Sequence, residues 1–225
     1  MHTAVDTHSL QSRFFQFLEE KPFPCVGAKS ALARDGLETF AARDIRSAWD
    51  DLAIHQHLCA FGERLDDRSD ALRSFAVLFE SPANLSETEF EHCLWDRLQS
   101  LCDKDRWLSY RYDPDVNPDP SSPEFAFSVG GVAYFVVGMH PRSGRLSRRT
   151  PMPVLAFNPF RQFQQLRAVG RFERMSEVVR KRDADLCGAA NPMLADHGAA
   201  SAARQFSGRM VENSWRCPLS SRRAT

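Results

Sequence analysis

Phe125-Ala126-Phe127-Ser128-Val129-Gly130-Gly131-Val132-Ala133-Tyr134-Phe135-Val136-Val137-Gly138-Met139-His140-Pro141 decides the fold. Two aromatic and β-branched runs, 125–129 and 132–140, are joined by a glycine pair, the signature of a β-hairpin. The second run stops at His140, because Pro141 has no amide for a sheet ladder and Ser143-Gly144 favour a turn. Residues 74–80 (Ser-Phe-Ala-Val-Leu-Phe-Glu) read as another strand, closed by Ser81-Pro82, and 154–157 as a short one bounded by prolines.

Helical spacing fills the rest. Leu10, Phe14, Phe17 and Leu18 make one apolar face over 9–20, and Lys21-Pro22-Phe23-Pro24 ends it. A second helix starts near Cys25 and runs to about Arg34, with Gly36 as its stop, and residues 47–63 repeat the pattern through Trp49, Leu52, Leu58 and Phe61. Ser86 and Glu89 form a capping box that opens a helix ending near Asp103. Residues 113–123 are a proline- and aspartate-rich loop, 160–182 one long helix, and 220–225 a frayed tail. No repeat or linker interrupts the chain. The expectation is one α+β domain over residues 1–225, a small, mostly antiparallel sheet packed by several helices.

Composition excludes several functions. Of 225 residues, 29 are Lys or Arg and 29 Asp or Glu, so no net field draws the chain to nucleic acid or an anionic membrane. Only Lys21, Lys29, Lys104 and Lys181 are lysines, and guanidiniums, which grip carboxylates in pairs of bonds, carry the remaining positive charge. Six cysteines without a C-x-x-C pair argue against a zinc ribbon or a dithiol redox site. With no signal peptide and no apolar run of membrane-spanning length, a cytoplasmic protein with reduced thiols is expected. P-loop, dinucleotide fingerprint and Ser-His-Asp set are all missing.

Three places carry chemistry. His140 stands at a strand end before a loop that gathers Arg142, Arg145, Arg148 and Arg149, a position suited to a metal or haem ligand beside carboxylate anchors, or to a histidine bonded in a turn. Cys25, in the first turn of a helix, gains from the positive end of the macrodipole, which favours thiolate. Asp196 and His197 set a carboxylate next to an imidazole, and Arg204 to Arg209 add two guanidiniums and Gly208, where backbone can approach a ligand. His55 and His57, two apart on a helix, face different ways and make no metal pair.

Together these segments resemble the YqcI/YcgG family. The matching pieces are Phe23-Pro24-Cys25-Val26-Gly27-Ala28-Lys29-Ser30-Ala31, Glu89-Phe90-Glu91 with Leu94-Trp95, Phe125-Ala126-Phe127-Ser128 with Gly130-Gly131, and Phe135-Val136-Val137-Gly138-Met139-His140-Pro141 with Arg148-Arg149. They continue through Phe157-Asn158, Gln162-Phe163, Arg182-Asp183, Asn191-Pro192-Met193-Leu194, Ala203-Arg204-Gln205-Phe206-Ser207-Gly208-Arg209 and Trp215-Arg216-Cys217-Pro218, so the likeness spans about 14–218. Some members are haem-dependent N-hydroxylases of guanidine groups, as in guanitoxin biosynthesis.

The resemblance implies a haem b monooxygenase with dioxygen as co-substrate, a small guanidine substrate such as arginine or a derivative, and a reductase or ferredoxin as electron donor. The balanced charge and the lack of a long apolar run speak for no nucleic-acid or membrane partner, and the oligomeric state stays open. Iron would sit on His140, with Cys25 and then His197 as alternatives. Arg145, Arg148, Arg149 and Arg204 would anchor propionates, and Asp183, Asp196 and Glu124 would meet the cationic substrate. The chain departs from the family pattern at Phe160, where a histidine is common, and at Ala202, where a glutamate is usual. A haem or small-molecule carrier or sensor without turnover is the competing expectation.

Overall fold

The computed structural model describes residues 5–66, 71–194 and 200–220. Five strands form one sheet in the order β1-β2-β5-β4-β3. The strands are β1 (Leu37–Asp44), β2 (Ser74–Ser81), β3 (Phe127–Val129), β4 (Val132–Met139) and β5 (Val154–Pro159). Only β1 and β2 run parallel, joined through helix α3 (Asp51–Glu63), and the other pairings are antiparallel. The hairpin forms as expected: Val129 pairs with Val132 across Gly130 and Gly131, whose φ values of 60° and 80° are open to glycine alone at little cost.

The sheet separates two cores. Along β2, Phe75, Val77 and Phe79 join the first core and Ala76 and Leu78 the second, so this strand is covered on both faces. The first core receives α3, α4 (Glu87–Trp107) and α7 (Ala203–Phe206), with Leu58, Leu94, Trp95 and Phe206 buried. The second receives α1 (Thr7–Glu19), which buries Leu10, Phe14 and Leu18 at four-residue spacing, and α2 (Val26–Ala33) packs beside it. Each such side chain contributes roughly 1.5–3 kcal/mol through the apolar area it removes from water.

Three elements differ from the sequence reading. Strand β1 was not expected; Glu38, Arg43 and Asp44 interrupt its apolar pattern, which an edge strand tolerates. The expected single helix over 160–182 is two, α5 (Phe160–Ala168) and α6 (Phe172–Cys187). Gly170, at φ 66°, stops the first: its amide donates to Arg167 O at 2.9 Å and the Arg171 amide to Leu166 O at 2.9 Å, a Schellman ending. Helix α4 keeps its capping box, with Ser86 N donating to Glu89 Oε2 at 2.8 Å, but continues four residues past Asp103 because Asp105 turns inward and is buried.

Candidate active site

Pro22 and Pro24 break the chain after α1, and Cys25 caps α2, its Sγ accepting the Ala28 amide at 3.4 Å. The macrodipole reading of this thiol is outweighed. Burial pushes the Cys25 thiol above its ordinary value, against the opposing pull of the Ala28 and Gly27 amides and the Arg148 charge. Without a cation bound to it, Cys25 is a thiol.

The loop after β4 folds back on itself. The His140 amide donates to Arg148 O at 3.0 Å, closing residues 140–148 into a ring that contains a short 3-10 turn, Leu146–Arg148. The Arg148 guanidinium turns inward and donates to the carbonyls of Gly138 (3.1 Å) and Phe206 (3.2 Å). Burial lowers it to about 10, with the Asp183 charge acting in the opposite sense. Arg145 pairs with Asp183 on α6 and donates to Ala189 O at 3.0 Å, and Ser147 Oγ donates to Asp183 Oδ1 at 2.5 Å. Asp183 is only 5% exposed, so a buried carboxylate holds one guanidinium and one hydroxyl.

His140 is 2% exposed, with its ring stacked on Phe90 at 4.4 Å between centroids and 18° between planes. Its Nδ1 has no hydrogen-bond partner. Burial lowers the imidazole to about 4, so it is neutral at physiological pH. The same turn carries two more buried polar atoms without partners, Ser143 Oγ and Arg145 Nε. Unpaired buried groups cost roughly 1–3 kcal/mol each and call for water, an ion or a ligand. His140 faces the first core while Cys25 packs on the second, so the two ligand candidates do not meet.

Beside the loop lies a cavity of about 510 Å³ walled by Phe17, Phe23, Leu146 and Leu186, with Arg13 and Arg149 on its lining. That size suits a small organic ligand.

A sequence profile for the YqcI/YcgG family matches residues 14–220. The chain belongs to the YqcI/YcgG family. No curated protein and no solved structure matches it. Within this YqcI/YcgG chain the matched span holds β1 to β5, the Arg148 loop and all of α2 to α7, while α1 begins before it.

The expected site residues separate into groups. Arg145, Arg148 and Asp183 are drawn into one charged network around the loop, with the neutral Cys25 thiol close enough to feel the Arg148 charge. Arg149 donates from Nε to Ser143 O at 3.0 Å and lines the cavity. Arg204 instead bonds the carbonyls of Val211 (3.3 Å) and Glu212 (3.1 Å) and lines a different groove, so it fixes the C-terminal segment. Glu124 is exposed on the loop before β3, where its amide donates to Ser122 Oγ at 3.1 Å. Asp196 and His197 lie outside the described residues.

Gly208 approaches the Arg148 side chain, not an outside ligand. Sequence reading missed Arg13, a lone arginine on the amphipathic α1. It also missed that His55, discounted with His57, has Cys59 one helical turn on, a spacing that the sequence does contain.

Proposed function

We propose that this YqcI/YcgG protein is a haem-dependent monooxygenase that N-hydroxylates a small guanidine compound, arginine or a derivative, with His140 as iron ligand. The observation that carries the reading is the His140 imidazole: buried, neutral, held in plane by Phe90, and left with an unpartnered Nδ1. A neutral imidazole nitrogen with no proton donor to satisfy it is the form that iron binds. The cavity beside the loop joins aromatic and aliphatic walls to two guanidiniums, but it opens among second-core residues and His140 is not on its lining.

When bound, haem supplies iron-centred activation of dioxygen, with electrons from a reductase or ferredoxin. The chain's own residues do the rest. Phe90 fixes the ring plane of His140, Arg13 and Arg149 offer bonds to carboxylate groups, and Phe17, Phe23 and Leu186 keep water from apolar surface. Asp183 supports the choice of substrate, because it already accepts a guanidinium, that of Arg145, in a buried setting.

The test is an absorption spectrum of protein expressed with a haem precursor, oxidised and then reduced under carbon monoxide. A Soret band at the position of histidine-ligated haem, shifted or lost in His140→Phe and unchanged in Cys25→Ser, is the expected result. A red-shifted thiolate-type band that disappears in Cys25→Ser overturns the ligand assignment, and no Soret band after reconstitution overturns the oxygenase reading.

One observation favours the second reading, a haem or small-molecule binding protein without turnover. Asp183, the buried carboxylate of the site, is already committed to Arg145 and Ser147. A Soret band with no N-hydroxylated product from arginine, dioxygen and a reductase supports that alternative.

A further inference from the structure

On the first-core face of the sheet, His55 and Cys59 stand one turn apart on α3, and Asp105 reaches them from α4. All three are buried, with His55 1% and Asp105 0% exposed. Their ligand-type atoms lie within 4.8 Å of one another. His55 Nε2 is 2.7 Å from Asp105 Oδ1, and Cys59 Sγ is 3.8 Å from the ring nitrogens. Two features fix this arrangement from outside. The Gly130 amide donates to Asp105 Oδ1 and Oδ2 at 3.0 and 3.1 Å, holding the carboxylate from the hairpin turn. Gly130 also sits so close that a Cβ there would stand 2.6 Å from Cys59 Sγ, so the absence of a side chain leaves room for the thiol.

We propose that His55, Cys59 and Asp105 bind a zinc ion that ties α3, α4 and the β3–β4 turn together. One thiolate, one imidazole and one carboxylate are the donor types that zinc accepts, and the thiolate disfavours calcium and magnesium. Zinc bonds of these lengths set tetrahedral S···N edges of about 3.6 Å and N···O edges of about 3.3 Å. The sulfur–nitrogen separation of 3.8 Å is close to that already. The His55–Asp105 contact has to open by about half an ångström, and the Gly130 amide still holds Asp105 as it does.

Coordination forms three bonds to the metal and expels two protons to water, one from the Cys59 thiol and one from the imidazolium that the Asp105 carboxylate favours. The fourth position belongs to water. Tyr110, whose ring lies 5.7 Å from that of His55, is 38% exposed.

This site is independent of the haem reading, and its test uses no activity. The haem-free full-length protein is titrated with Co²⁺, then with Zn²⁺ as competitor, and followed by near-ultraviolet and visible absorption. One equivalent of Co²⁺ giving a thiolate-to-cobalt charge-transfer band, displaced by Zn²⁺ and abolished in Cys59→Ser, is the expected result. Absence of the band, or its persistence in folded Cys59→Ser, overturns the proposal. Should Cys59→Ser fail to fold, alkylation of the wild-type protein decides instead, read peptide by peptide with the buried Cys93 and Cys102 as internal references. Zinc slows labelling of Cys59 alone by at least about tenfold if the site is real; equal rates with and without zinc overturn it.

Discussion

Gly208 lies against the side chain of Arg148 so closely that a Cβ would come 2.9 Å from Cδ and 3.1 Å from Nη1. The glycine also sits at φ 81°. It forms the floor under a buried cation that bonds the end of β4 to the end of α7. Gly208→Ala therefore costs about 1–3 kcal/mol through strain and overlap. Arg148→Ala costs about 3 kcal/mol, since two buried carbonyls lose their donor. In the double variant the overlap is gone, and its loss is smaller than the sum of the two single losses. Urea midpoints at constant m-value measure all three.

His140 sets an acid limit on the haem-free protein. Its folded value, about 4, lies below the unfolded value of 6.5, so between these the unfolded chain binds more protons and stability falls as pH falls. The loss is about 2 kcal/mol from pH 7 to 5 and levels off below pH 4. His140→Phe removes this slope. Denaturant midpoints across the pH range for both proteins check it, and parallel curves count against a buried neutral imidazole.

Arg13 and Arg149 share the lining of one cavity, and their removal separates anchoring from ligation. On the haem proposal, with propionates in this cavity, Arg13→Gln and Arg149→Gln each weaken haem retention by about tenfold, the value of one charge-assisted contact. The Soret position stays unchanged, because neither residue touches iron. Haem transfer to apomyoglobin gives the rates.

Asp183 holds Arg145 where water is scarce. Asp183→Ala leaves that guanidinium buried and unpaired and costs about 3 kcal/mol, whereas Arg145→Met with Asp183→Leu restores part of the loss. Thermal unfolding of the single and double variants distinguishes a pair kept for stability from one kept for binding.

Much of the fold is legible because its signals are local. The Gly130-Gly131 turn, the apolar run of β2, the Ser86–Glu89 box and the Leu10–Phe14–Leu18 stripe each declare themselves within a few residues. Strand β1 does not, since Glu38 and Arg43 spend their charge on Arg64, Arg73 and Asp50 brought from elsewhere. Gly170 is a single letter inside an otherwise helical pattern, and only its positive φ makes it an ending. The site is less legible still. His140 and the loop arginines stand out in sequence, but Asp183 meets Arg145 across 38 residues, and Asp105 meets His55 across 50. Such pairings follow from packing, which no short window contains.

The sheet order has a kinetic consequence. Strand β2 is paired along both edges and sealed on both faces, while β1 and β3 each have a strand partner on one edge only among the described residues. Amide protons of β2 and its neighbour β5 exchange with solvent only when the whole molecule opens, and those of the outer strands escape through smaller fluctuations. The slowest-exchanging centre is thus built from 74–81 and 154–159, and the hairpin turn that carries Gly130 belongs to the part that breathes.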